Sequence, residues 1–118
     1  MDIRERISKQ IEELQVLEQN LQRLLAQKQS IQVELNELMN ALSEISVSSD
    51  EIYKILGSAM IKANKESLTK DLNEKKKIFE MRVNSLEKQE SLLQKKAEEL
   101  QSEINTAIRK DLEEKNKK

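Results

Sequence analysis

Any reaction run by this chain would have to come from carboxylates, amines, one phenol and a few hydroxyls. There is no His and no Cys among the 118 residues. Zinc held by thiolate or imidazole, a Ser-His-Asp triad and a Cys-His pair are therefore all excluded within the chain. The single glycine, Gly57, rules out a P-loop and a dinucleotide fingerprint, which need several glycines to bring backbone close to phosphate. What remains is 22 Asp and Glu against 21 Lys and Arg. Carboxylates spread along polar helix faces are solvated far more often than catalytic. The expectation is a protein that is not an enzyme and needs no metal or cofactor.

The charges exclude other roles as well. The formal net charge is -1, and Lys75-Lys76-Lys77 is balanced by Glu74 and Glu80, so no basic face is offered to nucleic acid. A coiled coil that reads DNA is disfavoured for the same reason. No apolar run approaches the roughly 18 residues of a membrane span, and no signal-peptide pattern opens the sequence. The lack of Cys fits a cytoplasmic protein. With 36% hydrophobic, 36% charged and 2% aromatic residues and no Pro, the chain has little to fill a thick core and little to interrupt a helix. An extended, mainly α protein is expected.

Heptad spacing divides that helix in two. Stepping alternately by four and three from Ile3 gives Ile7, Gln10, Leu14, Leu17, Leu21, Leu24, Lys28, Ile31, Leu35, Leu38, Leu42 and Ile45, of which only Gln10 and Lys28 are polar. A second register runs Leu72, Lys76, Phe79, Val83, Leu86, Glu90, Leu93, Ala97, Leu100, Ile104, Ala107 and Asp111. Here Lys76, Glu90 and Asp111 interrupt the apolar line, and small Ala97 and Ala107 allow close approach. At 1.5 Å per residue the first helix would be roughly 65–70 Å long and the second roughly 75 Å. Near-equal lengths favour an antiparallel two-helix coiled coil over one rod. A parallel homodimer stays open, although it leaves the two seams to find separate partners. The expected segments are residues 1–47 as the first coiled-coil helix, 48–64 as a connecting element, and 65–118 as the second helix with a short polar tail.

The connector is more than a loop. Ser48-Ser49-Asp50 is the strongest helix-stopping cluster in the sequence. After it the heptads fail, and the only Tyr and only Gly appear within five residues of each other. Gly57-Ser58 suits a two-residue hairpin turn, which sets Leu56 opposite Ala59, Ile55 opposite Met60, Lys54 opposite Ile61 and Tyr53 opposite Lys62. Asn64 then caps the second helix. Tyr53, Ile55 and Met60 fall on one face, and Ile52, Leu56, Ala59, Ile61 and Ala63 on the other, so both faces are apolar. A lone hairpin is marginal in water and its edges are unpaired, which points to hairpins from several chains pairing edge to edge. A kinked helix through 52–61, flexible at Gly57, is the alternative.

A long helix, one hairpin carrying Ile52-Tyr53-Lys54-Ile55-Leu56-Gly57 and Ile61-Lys62, and a matching long helix resemble the β-class subunit of prefoldin. The resemblance covers nearly the whole chain. Its sharpest part is the Tyr-Lys-x-x-Gly turn followed by an apolar-Lys strand. One hairpin points to the β class, and short polar ends look like those of an archaeal subunit. The resemblance implies a hexamer of two α-type and four β-type subunits, built on a barrel of hairpins. It further implies a cytoplasmic, ATP-independent chaperone that holds unfolded polypeptides and delivers them to a group II chaperonin. Ile52, Tyr53, Ile55, Leu56, Gly57, Met60 and Ile61 would carry subunit assembly.

Client binding is expected where the start of the first helix meets the end of the second. Ile3, Ile7, Ile11, Leu14, Ile104, Ile108 and Leu112 supply apolar surface there. Ile11 and Ile108 lie one step off their seams and are hard to bury within a helix pair. For Ile3, Ile7 and Ile104, closing the end of the coiled coil explains the residues equally well. Lys110, Lys115, Lys117 and Lys118 sit among Asp111, Glu113 and Glu114 and read as a solvated tail. The rival reading is a structural or tethering coiled coil without client binding, which explains the heptads but not the apolar hairpin.

Overall fold

A computed structural model of the chain describes residues 2–48 and 51–117. The elements run α1 (Ile3–Val47), β1 (Ile52–Leu56), β2 (Ala59–Ala63) and α2 (Lys65–Asn116). The connector is therefore a hairpin, not a kinked helix. Of the helix-stopping cluster, Ser49 and Asp50 lie outside the described residues, as does Lys118 of the tail.

Two compact units form within this chain: residues 1–27 with 86–118, and residues 28–85. The division cuts across both helices. In the first unit the start of α1 and the end of α2 lie side by side, with Arg4 Nε 3.9 Å from Asp111 Oδ2. Within this unit the α1 and α2 segments thus lie antiparallel, as the sequence reading requires.

Burial follows the heptads. Every seam position of α1 is at least half-buried, and outside the seam only Asn20 and Ala41 in that helix are not exposed. The same holds for all twelve seam positions of α2, extended by Leu68 and Thr69 one turn towards its start. One stripe per helix is all that a pair can cover. Among the described residues the buried apolar set is accordingly small: Leu35, Leu38, Ile45 and Val83 in the second unit, and Ile104 in the first.

Polar seam residues are handled differently from one another. Asp111 finds Arg4. Lys76 lies 3.9 Å from Glu80, one turn further along α2. Gln10 is the exception, since its Oε1 is buried with no hydrogen-bond partner.

The helix ends next to the hairpin are closed by specific groups. Asn64 Oδ1 accepts from the N–H of Ser67 at 3.1 Å, the expected N-cap, while its carbonyl accepts from the Leu68 N–H at 2.9 Å. No basic residue occupies the last turn of α1. Lys65 from α2 fills that role, its Nζ donating to the carbonyls of Ser48 at 3.1 Å and Ser46 at 3.5 Å.

Two substitutions test this account by chemical denaturation. Ile104→Ala, at 3% exposure the least exposed of the buried apolar residues, should cost about 2–4 kcal/mol. Gln10→Leu should raise stability by about 1 kcal/mol, because it removes an unsatisfied buried oxygen from an apolar seam. A loss on Gln10→Leu would show that the amide is satisfied in solution.

Candidate functional site

The hairpin belongs to the second unit. Its register pairs Ile52 with Ala63, Tyr53 with Lys62, Lys54 with Ile61, Ile55 with Met60 and Leu56 with Ala59. This matches the register expected from a Gly57-Ser58 turn. Gly57 has φ +60° and no other residue among those described has a positive φ, the pattern of a type II′ turn with glycine first. A Cβ at Gly57 would meet nothing within 4 Å, so what excludes other residues is the backbone conformation rather than space.

Neither face of the hairpin is covered. Tyr53, Ile55 (69% exposed) and Met60 (68%) lie on one face, and Leu56 and Ile61 on the other, all exposed, with Ile52 half-buried. The sheet has two strands only, so each strand presents one unpaired edge.

What holds the open end of the hairpin is a carboxylate. Glu51 accepts from Tyr53 Oη at 2.6 Å through one oxygen and from Lys62 Nζ at 3.2 Å through the other. It thereby joins the two residues that face each other across the ladder. The Tyr53 bond, and next the Lys62 bond, hold the Glu51 carboxyl below the usual carboxylate range. The Glu51 bond in turn raises the Tyr53 phenol, since a hydroxyl that donates to a carboxylate gives up its proton less readily. Sequence reasoning missed Glu51. The signal was present as an acid placed just before a strand whose second residue and cross-strand partner are Tyr and Lys.

In the first unit the seven tip residues separate into two groups. Ile104 is buried, and Ile3, Ile7 and Leu14 are half-buried on the α1 seam, so these four close the helix pair. Ile11 and Ile108, each 40% exposed, and Leu112 at 55% stand outside the seams. Val16, also exposed, was missed because it lies off the heptad register, next to the seam residue Leu17. Among the described residues no group of three or more acidic side chains is arranged to hold a metal ion. Nor, among the described residues, is any helix long and apolar enough to cross a membrane.

A pair of long antiparallel helices joined by a single uncovered hairpin defines a class of coiled-coil proteins. The prefoldin subunit family matches residues 8–111 of the chain. Prefoldin subunit beta of Saccharolobus islandicus is 40% identical over 106 residues, spanning 88% of this chain and 84% of that protein. Its counterpart in Pyrococcus horikoshii is 38% identical over 99 residues, 82% and 85% of the two chains. The crystal structure of the prefoldin beta subunit from Thermococcus strain KS-1 superposes with a TM-score of 0.86 at 34% identity, covering 92% of this chain and 96% of that one. The beta2 subunit from the same strain, 18% identical with a TM-score of 0.67 over 74% of this chain, shares the fold. The chain belongs to the prefoldin family of chaperone subunits, in its β class.

The Glu51 clamp gives a pH dependence of definite sign. Glu51 is lowered on folding, so its contribution is present above the ordinary carboxylate range and is lost as pH falls through the lowered value. Tyr53 is raised, so its contribution is present below the ordinary phenol range and is lost as pH rises through the raised value. Because Tyr53 is the only tyrosine, near-ultraviolet phenolate absorbance reports it alone. Glu51→Gln should move that titration midpoint down towards the value of a free phenol. An unchanged midpoint would show that the bond does not persist in solution.

Proposed function

We propose that this chain is a subunit of an ATP-independent holdase. Its hairpins join with those of an α-type subunit and further β-type copies into a hexamer, in the cytoplasm. Its coiled-coil tips hold unfolded polypeptides and deliver them to a group II chaperonin. The reading draws on the β-class relatives and on the distribution of exposed apolar side chains. Among the described residues sixteen large apolar side chains are exposed, and five of these fall within residues 52–63. That density is the observation that carries the assembly role, since concentrated uncovered apolar surface beside unpaired strand edges calls for a partner.

The tip residues are fewer and more scattered, which suits transient holding. Apolar area removed from water is worth about 25 cal/mol per Å2, so Ile11, Ile108 and Leu112 on one subunit would bind weakly and without sequence preference. Several subunits engaging one client raise the effective concentration of each further contact. No step calls for a nucleotide or for catalysis.

The test is a dilution assay in which a denatured client is mixed with this protein and its α-type partner. Aggregation should be suppressed at excess chaperone; no suppression would leave only a tethering coiled coil. Deleting residues 1–11 and 105–118 should abolish holding while the assembly persists at a mass reduced by the deleted pieces. Charge at the hairpin, as in Ile55→Glu with Met60→Glu, should instead break assembly first. If tip deletion dissolves the oligomer, the assignment of assembly to the hairpin is wrong.

A further inference from the structure

We infer that the first unit carries a lateral groove selective for apolar polypeptide segments flanked by lysine or arginine. The inference rests on the holdase reading and adds which segments of an unfolded chain are taken. The groove, about 770 Å3, lies between residues 9–17 of α1 and 96–103 of α2. It is a surface depression open to solvent, not an enclosed cavity. Val16, Leu17 and Leu100 supply its apolar surface. Val16 is 54% exposed although it borders the seam residue Leu17, so an apolar floor is open to a guest.

The rim is acidic. Glu12 and Glu13 come from α1, and Glu99 and Glu103 from α2, against two lysines, Lys9 and Lys96. All four carboxylates are exposed. None has an ion-pair or hydrogen-bond partner among the described residues. Glu99 and Glu103 stand four residues apart on one helix face, an arrangement of like charges that costs an isolated helix some stability. A cation seated at the rim offsets that repulsion, and an acidic guest adds to it.

The acidity is uneven across the unit: a depression beside Leu14 and Ala97 also carries two carboxylates, Glu18 and Glu98, and no basic residue. A neighbouring depression, lined in part by Ile3 and Gln10, carries Arg6 and Lys110 against Glu103 alone. An apolar floor inside a charged rim is the usual layout of a recognition surface, in which the rim sets preference more than strength. The occupant that matches both parts is an extended stretch of an unfolded polypeptide with apolar residues at its centre and basic residues on either side.

The experiment uses the full chain and two labelled peptides that share one apolar centre, flanked by lysines in one and by glutamates in the other. Fluorescence anisotropy should show the lysine peptide binding about tenfold more tightly at low salt, with the preference shrinking as ionic strength rises. The fourfold variant E12Q/E13Q/E99Q/E103Q keeps side-chain shape and helix propensity and should bring the two affinities within about twofold. Val16→Ser should weaken both peptides alike, separating floor from rim. Equal binding of both peptides by the unaltered chain overturns the proposal, as does a preference that survives in the fourfold variant. If the fourfold variant changes the oligomeric mass but not peptide preference, the groove is a contact between copies and the proposal falls. Loss of selectivity with aggregation suppression intact leaves the holdase reading standing; failure of both peptides and of suppression defeats the two together.

Discussion

A pair of helices can cover one stripe on each, and the rest of this protein's behaviour depends on that limit. The seam residues take up nearly all the burial available, and even there no side chain among the described residues is completely buried. Apolar residues outside the seam have nowhere to go within the chain. They remain exposed, or they are covered by something else. The 36% of residues that are charged keep such a surface in solution. The same limit explains why polar residues are tolerated on the seam. At partial burial Asp111 can still reach Arg4, and Lys76 can still reach Glu80 with its head group near water.

The hairpin shows how an element with no layer beneath it is kept in shape. Its stability does not come from an apolar face packed on a core, because both faces are open. It comes from the II′ turn at Gly57, from the ladder, and from polar fasteners at the open end. Glu51 ties Tyr53 to Lys62 across the strands. Lys65 holds the carbonyls of Ser46 and Ser48 where α1 ends, and Asn64 starts α2. These are peripheral contacts that use no apolar surface. The hairpin is thereby held in form while Ile55, Leu56, Met60 and Ile61 stay available.

The long-range pattern was legible in the sequence because heptad spacing is the burial pattern of a two-helix pair. Stepping by four and three selected Ile3 through Ile45 and Leu72 through Asp111, and those positions are the ones shielded from water. The hairpin register was legible for a similarly local reason, since a two-residue turn leaves no freedom in which residues face each other. What escaped was polar and relational. Glu51 acquires meaning only when Tyr53 and Lys62 are known to be partners, and Lys65 only when the end of α1 is known to lie beside it. Among the proposed tip residues, periodicity separated Ile11 and Ile108 from the seam. It could not rank Ile104 as the most buried of the seven, because burial along a seam varies with the size of the residues facing it. Val16 escaped because it lies off the heptad register beside the seam residue Leu17, where an apolar residue adds no periodic signal.

The two exposed apolar regions differ in a way that bears on their uses. Residues 52–63 of the hairpin place five large exposed apolar side chains among only two charges, Lys54 and Lys62. Lasting interfaces between subunits are built of such apolar surface, depleted of charge. At the tip, Ile11 is followed by Glu12 and Glu13, Ile108 by Arg109 and Lys110, and Leu112 by Glu113 and Glu114, so each of these exposed apolar groups has charges beside it in sequence. A contact made there buries apolar area and must also desolvate or pair those charges, which lowers the net gain from each contact. Weak individual contacts release quickly, which suits the transient holding proposed for this tip. Charge near the apolar residues therefore serves two ends at once: it keeps an uncovered tip soluble, and it limits how tightly the tip can hold.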